Sequence, residues 1–432
     1  MNLNSWGMYP KVHSSKVILK DTKNLKDDIN NQNEYIPFGN GRSYGDSCLN
    51  DNIIYTKPYN YFLDFDEEKG ILHCQSGVML SEILESFVSR GWFLKVTPGT
   101  KLITIGGAIA SDVHGKNHHV EGCFSSCVEE FTIMLSNGEI KTCTKNKNDE
   151  LFKATCGGMG LTGVILTAKI SLKKINSKYI DQTTIKTKNL RETFYAFEEY
   201  KHLPYSVAWI DCLATGDDLG KCLLMVGDFK SDGDLSFKKK GKLNIPFNFP
   251  SFALNKLSVK AFNWLYYGKA PNGVSKQKVD IDTFFYPLDA IDNWNRIYGK
   301  GGFTQYQFIL PKEVSYDGLQ EILSEISNSG KGSFLAVLKL YGKENENYLS
   351  FPIEGYSLAL DFKIEKGLFE LLDELDKIVV KYEGRIYLTK DVRVSKDTFE
   401  KGYSKIEKFR EFRKENKMDK KFNSLQSKRV GI

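Results

Sequence analysis

The chain has 432 residues, a formal net charge of +6, and enough apolar (41%) and aromatic (13%) residues for well-packed interiors. That length exceeds one ordinary core and predicts two domains. The small, scattered positive charge argues against a nucleic-acid binder, and no apolar run is long enough to span a bilayer.

In chain order, the first residues lack a basic region followed by an apolar one, so no signal peptide is expected and a cytoplasmic protein is predicted. From residue 17 to 175 short strands and helices alternate with glycine punctuation. Residues 71–77 predict a strand, and 81–90 an amphipathic helix with Ser81 as N-cap and Gly91 as its stop. Residues 131–143 predict a hairpin turning at Asn137-Gly138, and 161–172 a strand rich in β-branched residues. After Lys173 glycine thins out and aromatics rise, which predicts a domain boundary. Strands are expected at 206–211, 223–226 and 303–310, and helices at 316–326 and 368–382. The order predicts an α+β fold whose second domain holds an antiparallel sheet. Between Lys230 and Val279 no regular period is visible, and a mobile flap is expected there, basic at 238–242 and then aromatic. That basic cluster and the one at 401–429 read as solvated faces. Eight scattered cysteines show no zinc-type spacing and predict reduced thiols.

Two glycine-studded segments stand out. One is Phe38-Gly-Asn-Gly-Arg-Ser-Tyr-Gly-Asp46; the other runs from Pro98-Gly-Thr100 through Thr104-Ile-Gly-Gly107 to His114-Gly115. Glycine lets backbone approach a ligand closely, so the pair predicts a large phosphate-bearing cofactor held by main-chain N–H groups. Neither segment fits the Gly-x-Gly-x-x-Gly fingerprint, and no P-loop is present.

Together with residues 157–163, 285–289, 294–296, 305–308, 338–342 and 387–391, these segments resemble flavoproteins of the vanillyl-alcohol-oxidase type. Within that group the chain resembles the decaprenylphosphoryl-β-D-ribose 2-oxidase family, over nearly its whole length. The resemblance implies a PCMH-type FAD-binding domain at 1–174, completed by 385–432, and a substrate domain at 175–384 that includes the flap. It implies FAD contacts from Gly39, Asn40, Gly41, Arg42, Ser43, Tyr44, Gly45 and Asp46, and from Pro98, Gly99, Thr100, Thr104, Gly106 and Gly107. Ala110, Ser111, His114, Gly115, Asn117, Gly163, Val164 and Tyr387 complete that set. Ser43 stands where many relatives carry a flavin-linking histidine, so the FAD is expected to be non-covalent. No histidine follows His202, which argues against an aldonolactone oxidase.

For chemistry, the resemblance marks Lys390, with Tyr44 and His114 beside it. Desolvation suits Lys390 to general-base work, while a protonated Lys390 would instead stabilise a flavin anion. Gln305 and Gln307 alternate on one strand face, as hydrogen bonding to sugar hydroxyls requires. Lys116 and Lys339 suit a phosphate, and Tyr286 and Ser357 join the substrate candidates. Relatives sensitive to nitroaromatic inhibitors carry a cysteine where Ala359 stands here. No metal site is expected.

The resulting expectation is FAD-dependent oxidation of a ring secondary alcohol, the C2 hydroxyl, of a polyprenylphosphoryl pentose. The keto sugar would be the first half of an epimerisation, completed by a separate NAD(P)H-dependent reductase, with peripheral contact to a membrane. Two rivals are a flavin oxidase of a soluble sugar, alditol or glycoside, and a redox-silent protein that binds lipid-linked sugars.

Overall fold

The computed structural model describes residues 1–29, 31, 33–238, 240–250 and 252–432. Lys239 of the basic cluster and Ser251 of the expected flap lie outside the described residues.

The strand Val164–Lys174 organises the N-terminal half. It pairs antiparallel with Ile71–Gln75, Trp92–Leu94 and Val128–Met134, at the centre of a six-stranded sheet. Side chains along it alternate between buried and half-buried, the period-two signature of a strand with one face in the core. The Asn137-Gly138 hairpin forms as expected between Val128–Met134 and Ile140–Cys143. A separate three-stranded parallel sheet joins Ser15–Ile18, Asn52–Tyr55 and Ile36–Phe38, and the last of these delivers the chain into the first glycine segment.

The predicted helix starts one turn position earlier than expected, at Leu80–Phe87. Met79 precedes it, because the Glu82 carboxylate accepts the Met79 N–H at 2.7 Å, so Ser81 sits buried in the first turn and is not the cap.

The second half is built on an eight-stranded antiparallel sheet. Its order is Val274–Asp280, Tyr179–Thr187, Cys222–Phe229, Tyr205–Ile210, Ala336–Tyr341, Gly355–Lys363, Phe303–Pro311 and Arg385–Ile386. Helices Ser315–Ser329 and Leu368–Lys381 bury Leu319, Ile322, Leu323, Leu372, Leu375 and Val379 in the same apolar cluster as Phe308, Leu338, Leu358 and Leu360. The fold is α+β.

The aperiodic reading of 230–279 is corrected. A 14-residue helix occupies Lys256–Lys269, and Val274–Asp280 is an edge strand paired along its length with Tyr179–Thr187.

The C-terminal residues return to the N-terminal half. Tyr35 bridges Phe422, Asn50 donates to the Asn423 carbonyl at 2.8 Å, and the buried Arg413 donates to Leu161 O and Asn423 Oδ1. No helix among the described residues is long and apolar enough to cross a membrane.

Candidate active site

One cleft, with about 1950 Å³ of empty volume counted out to its solvent mouth, lies where the two glycine segments face the eight-stranded sheet. Gly39 through Tyr44, Pro98, Gly99, Thr100, Thr104, Gly106, Gly107, Ala110, Ser111 and Gly163 line one part of it. Lys116, Gln305, Gln307, Lys339 and Lys390 line the other, and His114 and Tyr387 also face the space.

Register explains the sheet's contribution. Gln307, Ala359 and Val337 lie side by side on three adjacent strands, so all three side chains emerge on one face and reach the cleft. The intervening Phe308, Leu338, Leu358 and Leu360 point the other way, into the core. Gly106 and Gly107 belong to a short helix, Ile105–Ala110; Thr104 caps it by accepting the Gly107 N–H. Asp289 holds the Pro98–Gly99–Thr100 bend by accepting from Thr100 Oγ1 and the Lys101 N–H, each at 2.8 Å.

Seven expected residues do not line this cleft. Gly45 is a glycine because the Asp391 backbone lies against it: a Cβ there would meet Asp391 O at 1.6 Å. Asp46 pairs with Arg429 at 2.8 Å, and Arg429 also holds Asp391 at 2.9 Å. Gly115 lies against Thr97 O, and Asn117 is buried, donating to Lys95 O at 2.9 Å. Val164 begins the central strand and is fully buried, although Gly163 and Ile165 on either side reach the cleft. The Tyr286 hydroxyl lies 2.7 Å from Thr97 Oγ1 inside the core, and Ser357 lies beneath Gln307, accepting from its Nε2 at 3.3 Å.

Two groups with chemistry at the cleft went unassigned in the sequence reading, Cys48 on its lining and Asp361 behind its sheet wall. Cys48 reaches the cleft with its Sγ 3.0 Å from Ser43 Oγ, so the cleft holds a thiol on the glycine-loop side even though Ala359 replaces one on the sheet. Burial pushes that thiol up to about 11. Asp361 is buried beside the sheet wall and accepts from Gln305 Nε2 at 2.5 Å. Its signal was period two: counted from Ser357 and Ala359, Asp361 falls on the same strand face.

The electrostatics are unusual. Burial pushes Lys339 down to about 8, and burial together with Lys339 pushes Lys116 down to about 7. Burial also lowers Lys390 and raises Asp361, while their mutual attraction opposes both shifts. His114 is held well below the ordinary imidazole range by burial and by Lys339, so its ring is neutral. Its Nε2 lies 3.3 Å from Gln307 Nε2, and its Nδ1 is buried without a partner.

Three features of the cleft fit a flavin dinucleotide. The N–H groups of Asn40, Gly41, Arg42 and Ser43 have no protein acceptor among the described residues, as a pyrophosphate cradle requires. A Cβ on Gly99 would meet nothing within 4 Å, and one on Gly107 only Thr104 Oγ1, so bare backbone faces open space. His114 Nδ1 and Ser76 Oγ are buried polar atoms without partners in the cleft wall.

Fold and cleft suit a flavin dinucleotide, and the relatives make the chain an FAD-dependent oxidoreductase acting on CH–OH groups. A family model described as an FAD binding domain matches residues 26–144. The chain is 35% identical to decaprenylphosphoryl-beta-D-ribose oxidase of Mycolicibacterium smegmatis over 409 residues, 91% of this chain and 88% of that protein. It is 26% identical to L-gulonolactone oxidase of Bos taurus over 42% of this chain and 41% of that protein, and 27% identical to Delta(24)-sterol reductase of Homo sapiens over 26% and 21%. The chain belongs to the decaprenylphosphoryl-β-D-ribose oxidase family, and its cofactor is FAD.

Proposed function

We propose that the protein oxidises the C2 hydroxyl of a polyprenylphosphoryl pentose to a ketone, with FAD held without a covalent bond. The observation that carries this reading is the convergence of three cleft-facing lysines, Lys116, Lys339 and Lys390, opposite glycine loops whose N–H groups lack partners. None of the three lysines forms an ion pair within 4.0 Å among the described residues. A substrate that brings its own phosphate would supply the counter-charge for two of them.

Bound FAD supplies the hydride acceptor. The protein supplies the rest. Gln305 and Gln307 hold the sugar ring from one side, and Lys116 and Lys339 hold the phosphate. Lys390, favoured in its neutral form by burial, takes the proton of the reacting hydroxyl, and Asp361 stabilises the resulting ammonium. His114, neutral and held by Gln307, fixes the sheet wall beside the reacting carbon without adding charge.

In this reading residues 1–174 and 385–432 form the flavin-binding part and 175–384 the substrate part. The ketone is the first half of an epimerisation, and a separate NAD(P)H-dependent reductase completes it. A polyprenyl substrate comes from a membrane, so the enzyme works at a membrane face. Product trapping with borodeuteride tests the assignment: deuterium at C2 of the recovered pentose is expected, and deuterium at another carbon, or none, would remove it.

A further inference from the structure

The helix Lys256–Lys269 is apolar on its outward face as well as its inward one. Its inward face buries Val259 and Asn263, and Asn263 Nδ2 donates to Asp211 Oδ1 at 2.6 Å inside the protein. Its outward face, at helical spacing, presents Leu257, Ala261, Trp264 and Leu265. Leu257 is 78% exposed, Trp264 73% and Leu265 62%. A water-facing helix places these residue types the other way round.

Charge says what covers the face. No Asp or Glu occurs between Leu235 and Val279, whereas nine lysines do, at 238, 239, 240, 242, 256, 260, 269, 276 and 278. Lys256, Lys260, Lys269 and Lys276 are exposed and lack an ion pair among the described residues. An apolar, Trp-bearing stripe set among unpaired lysines matches an anionic lipid surface, which offers both an acyl boundary and a negative headgroup layer. A second copy of this face would bring the same lysines together, which like charge opposes.

The helix is also joined to the cleft. Phe262 packs on Phe334 at 5.4 Å, Phe334 on Tyr298 at 5.8 Å, Tyr298 on Phe303 at 4.3 Å, and Phe303 on Tyr44 at 5.1 Å between ring centroids. Tyr44 lines the cleft.

We propose that the Lys256–Lys269 helix seats the protein on an anionic bilayer, its Leu257–Trp264–Leu265 stripe in the acyl boundary and its lysines among the headgroups. The inference deepens the reading of a polyprenyl substrate and rests on it for its purpose, but its test separates the two.

The test is co-sedimentation of the full-length, FAD-loaded protein with vesicles of phosphatidylcholine alone and of phosphatidylcholine mixed with phosphatidylglycerol. Wild type is expected to pellet with the anionic vesicles, less so as salt is raised. Trp264→Ser/Leu265→Ser is expected to weaken that binding about tenfold or more, since affinity follows the apolar area inserted. Lys260→Glu/Lys269→Glu is expected to abolish the preference for anionic lipid. Both variants should keep the flavin band and its bleaching by a short-chain soluble substrate, which excludes misfolding. No pelleting on either vesicle, or pelleting unchanged in both double variants, overturns the proposal. So does a wild-type dimer that Trp264→Ser/Leu265→Ser dissociates in analytical ultracentrifugation, because a second copy then covers the face. Salt-sensitive pelleting that both variants lose, with no sugar bleaching the flavin, supports the membrane seat and removes the substrate reading alone.

Discussion

The Nζ of Lys390 lies 3.7 Å from the centroid of the Tyr44 ring. The Tyr44 N–H donates to the Thr389 carbonyl at 3.0 Å, so the first glycine segment is tied by backbone to the turn that carries the lysine. The ring's π-face favours the ammonium and so opposes the burial that favours the amine. Asp361 opposes it too, so the pull of burial toward the amine is partly offset, as suits a proton acceptor near neutral pH.

Lys390→Ala is therefore predicted to slow flavin reduction by substrate about 10²- to 10⁴-fold, the range of a lost general base. FAD content should stay unchanged, because the cleft's unpartnered N–H groups belong to residues 40–43. Anaerobic stopped-flow absorbance checks both. An unaltered reduction rate would place Lys390 outside the chemistry.

Lys116 and Lys339 predict two opposite pH trends. Their folded values, about 7 and about 8, lie below the ordinary lysine value of roughly 10.4. Above the folded values the unfolded chain binds more protons, so the substrate-free protein gains stability as pH rises from about 7 toward 10. Over the same rise the two ammonium groups discharge, and KM for a phosphate-bearing substrate is predicted to increase. Denaturant melts and initial rates on either side of the window measure the two trends.

Arg429 is predicted to be structural, through the two carboxylates it holds. Asp46 and Asp391 are both buried, and Arg429→Met leaves them facing each other without a cation. Burial, offset by Arg429, already raises Asp46 to about 6. Breaking such a cluster costs about 3 kcal/mol. A lowered midpoint in urea with an unchanged reduction rate per bound flavin is the expected result.

FAD is predicted to be released by acid precipitation, leaving a colourless pellet. Ser43 replaces the flavin-linking histidine, and its hydroxyl faces Cys48 Sγ at 3.0 Å, a thiol raised to about 11 and so poorly nucleophilic. Flavin fluorescence that stays with the protein in denaturing gels would contradict this.

What the sequence revealed followed local signals. The Asn137-Gly138 turn and the alternation of Val164–Lys174 are visible in single segments, and both form as read. The Lys256–Lys269 helix was hidden because Leu257, Trp264 and Leu265 sit outward while Val259 and the polar Asn263 sit inward, which erases the usual amphipathic contrast. The edge strand Val274–Asp280 was hidden because its largely exposed Ser-Lys-Gln-Lys interior offers no buried alternation. In the cleft, Gln305 and Gln307 were legible from period two on one strand. Asp46 and Gly45 stand off the cleft lining for reasons that lie in the C-terminal segment, Arg429 for one and the Asp391 backbone for the other, more than 340 residues away. No local pattern encodes such a contact.

Oxidation of a polyprenylphosphoryl pentose by bound FAD can be watched in an anaerobic titration of the holoprotein with a short-chain polyprenylphosphoryl ribose. Stoichiometric bleaching of the oxidised flavin band, near 450 nm (roughly where free flavin absorbs), is expected, and its loss in Lys390→Ala. A flavin that stays oxidised with this substrate but bleaches with a soluble sugar or alditol would rule out a polyprenylphosphoryl pentose as the substrate.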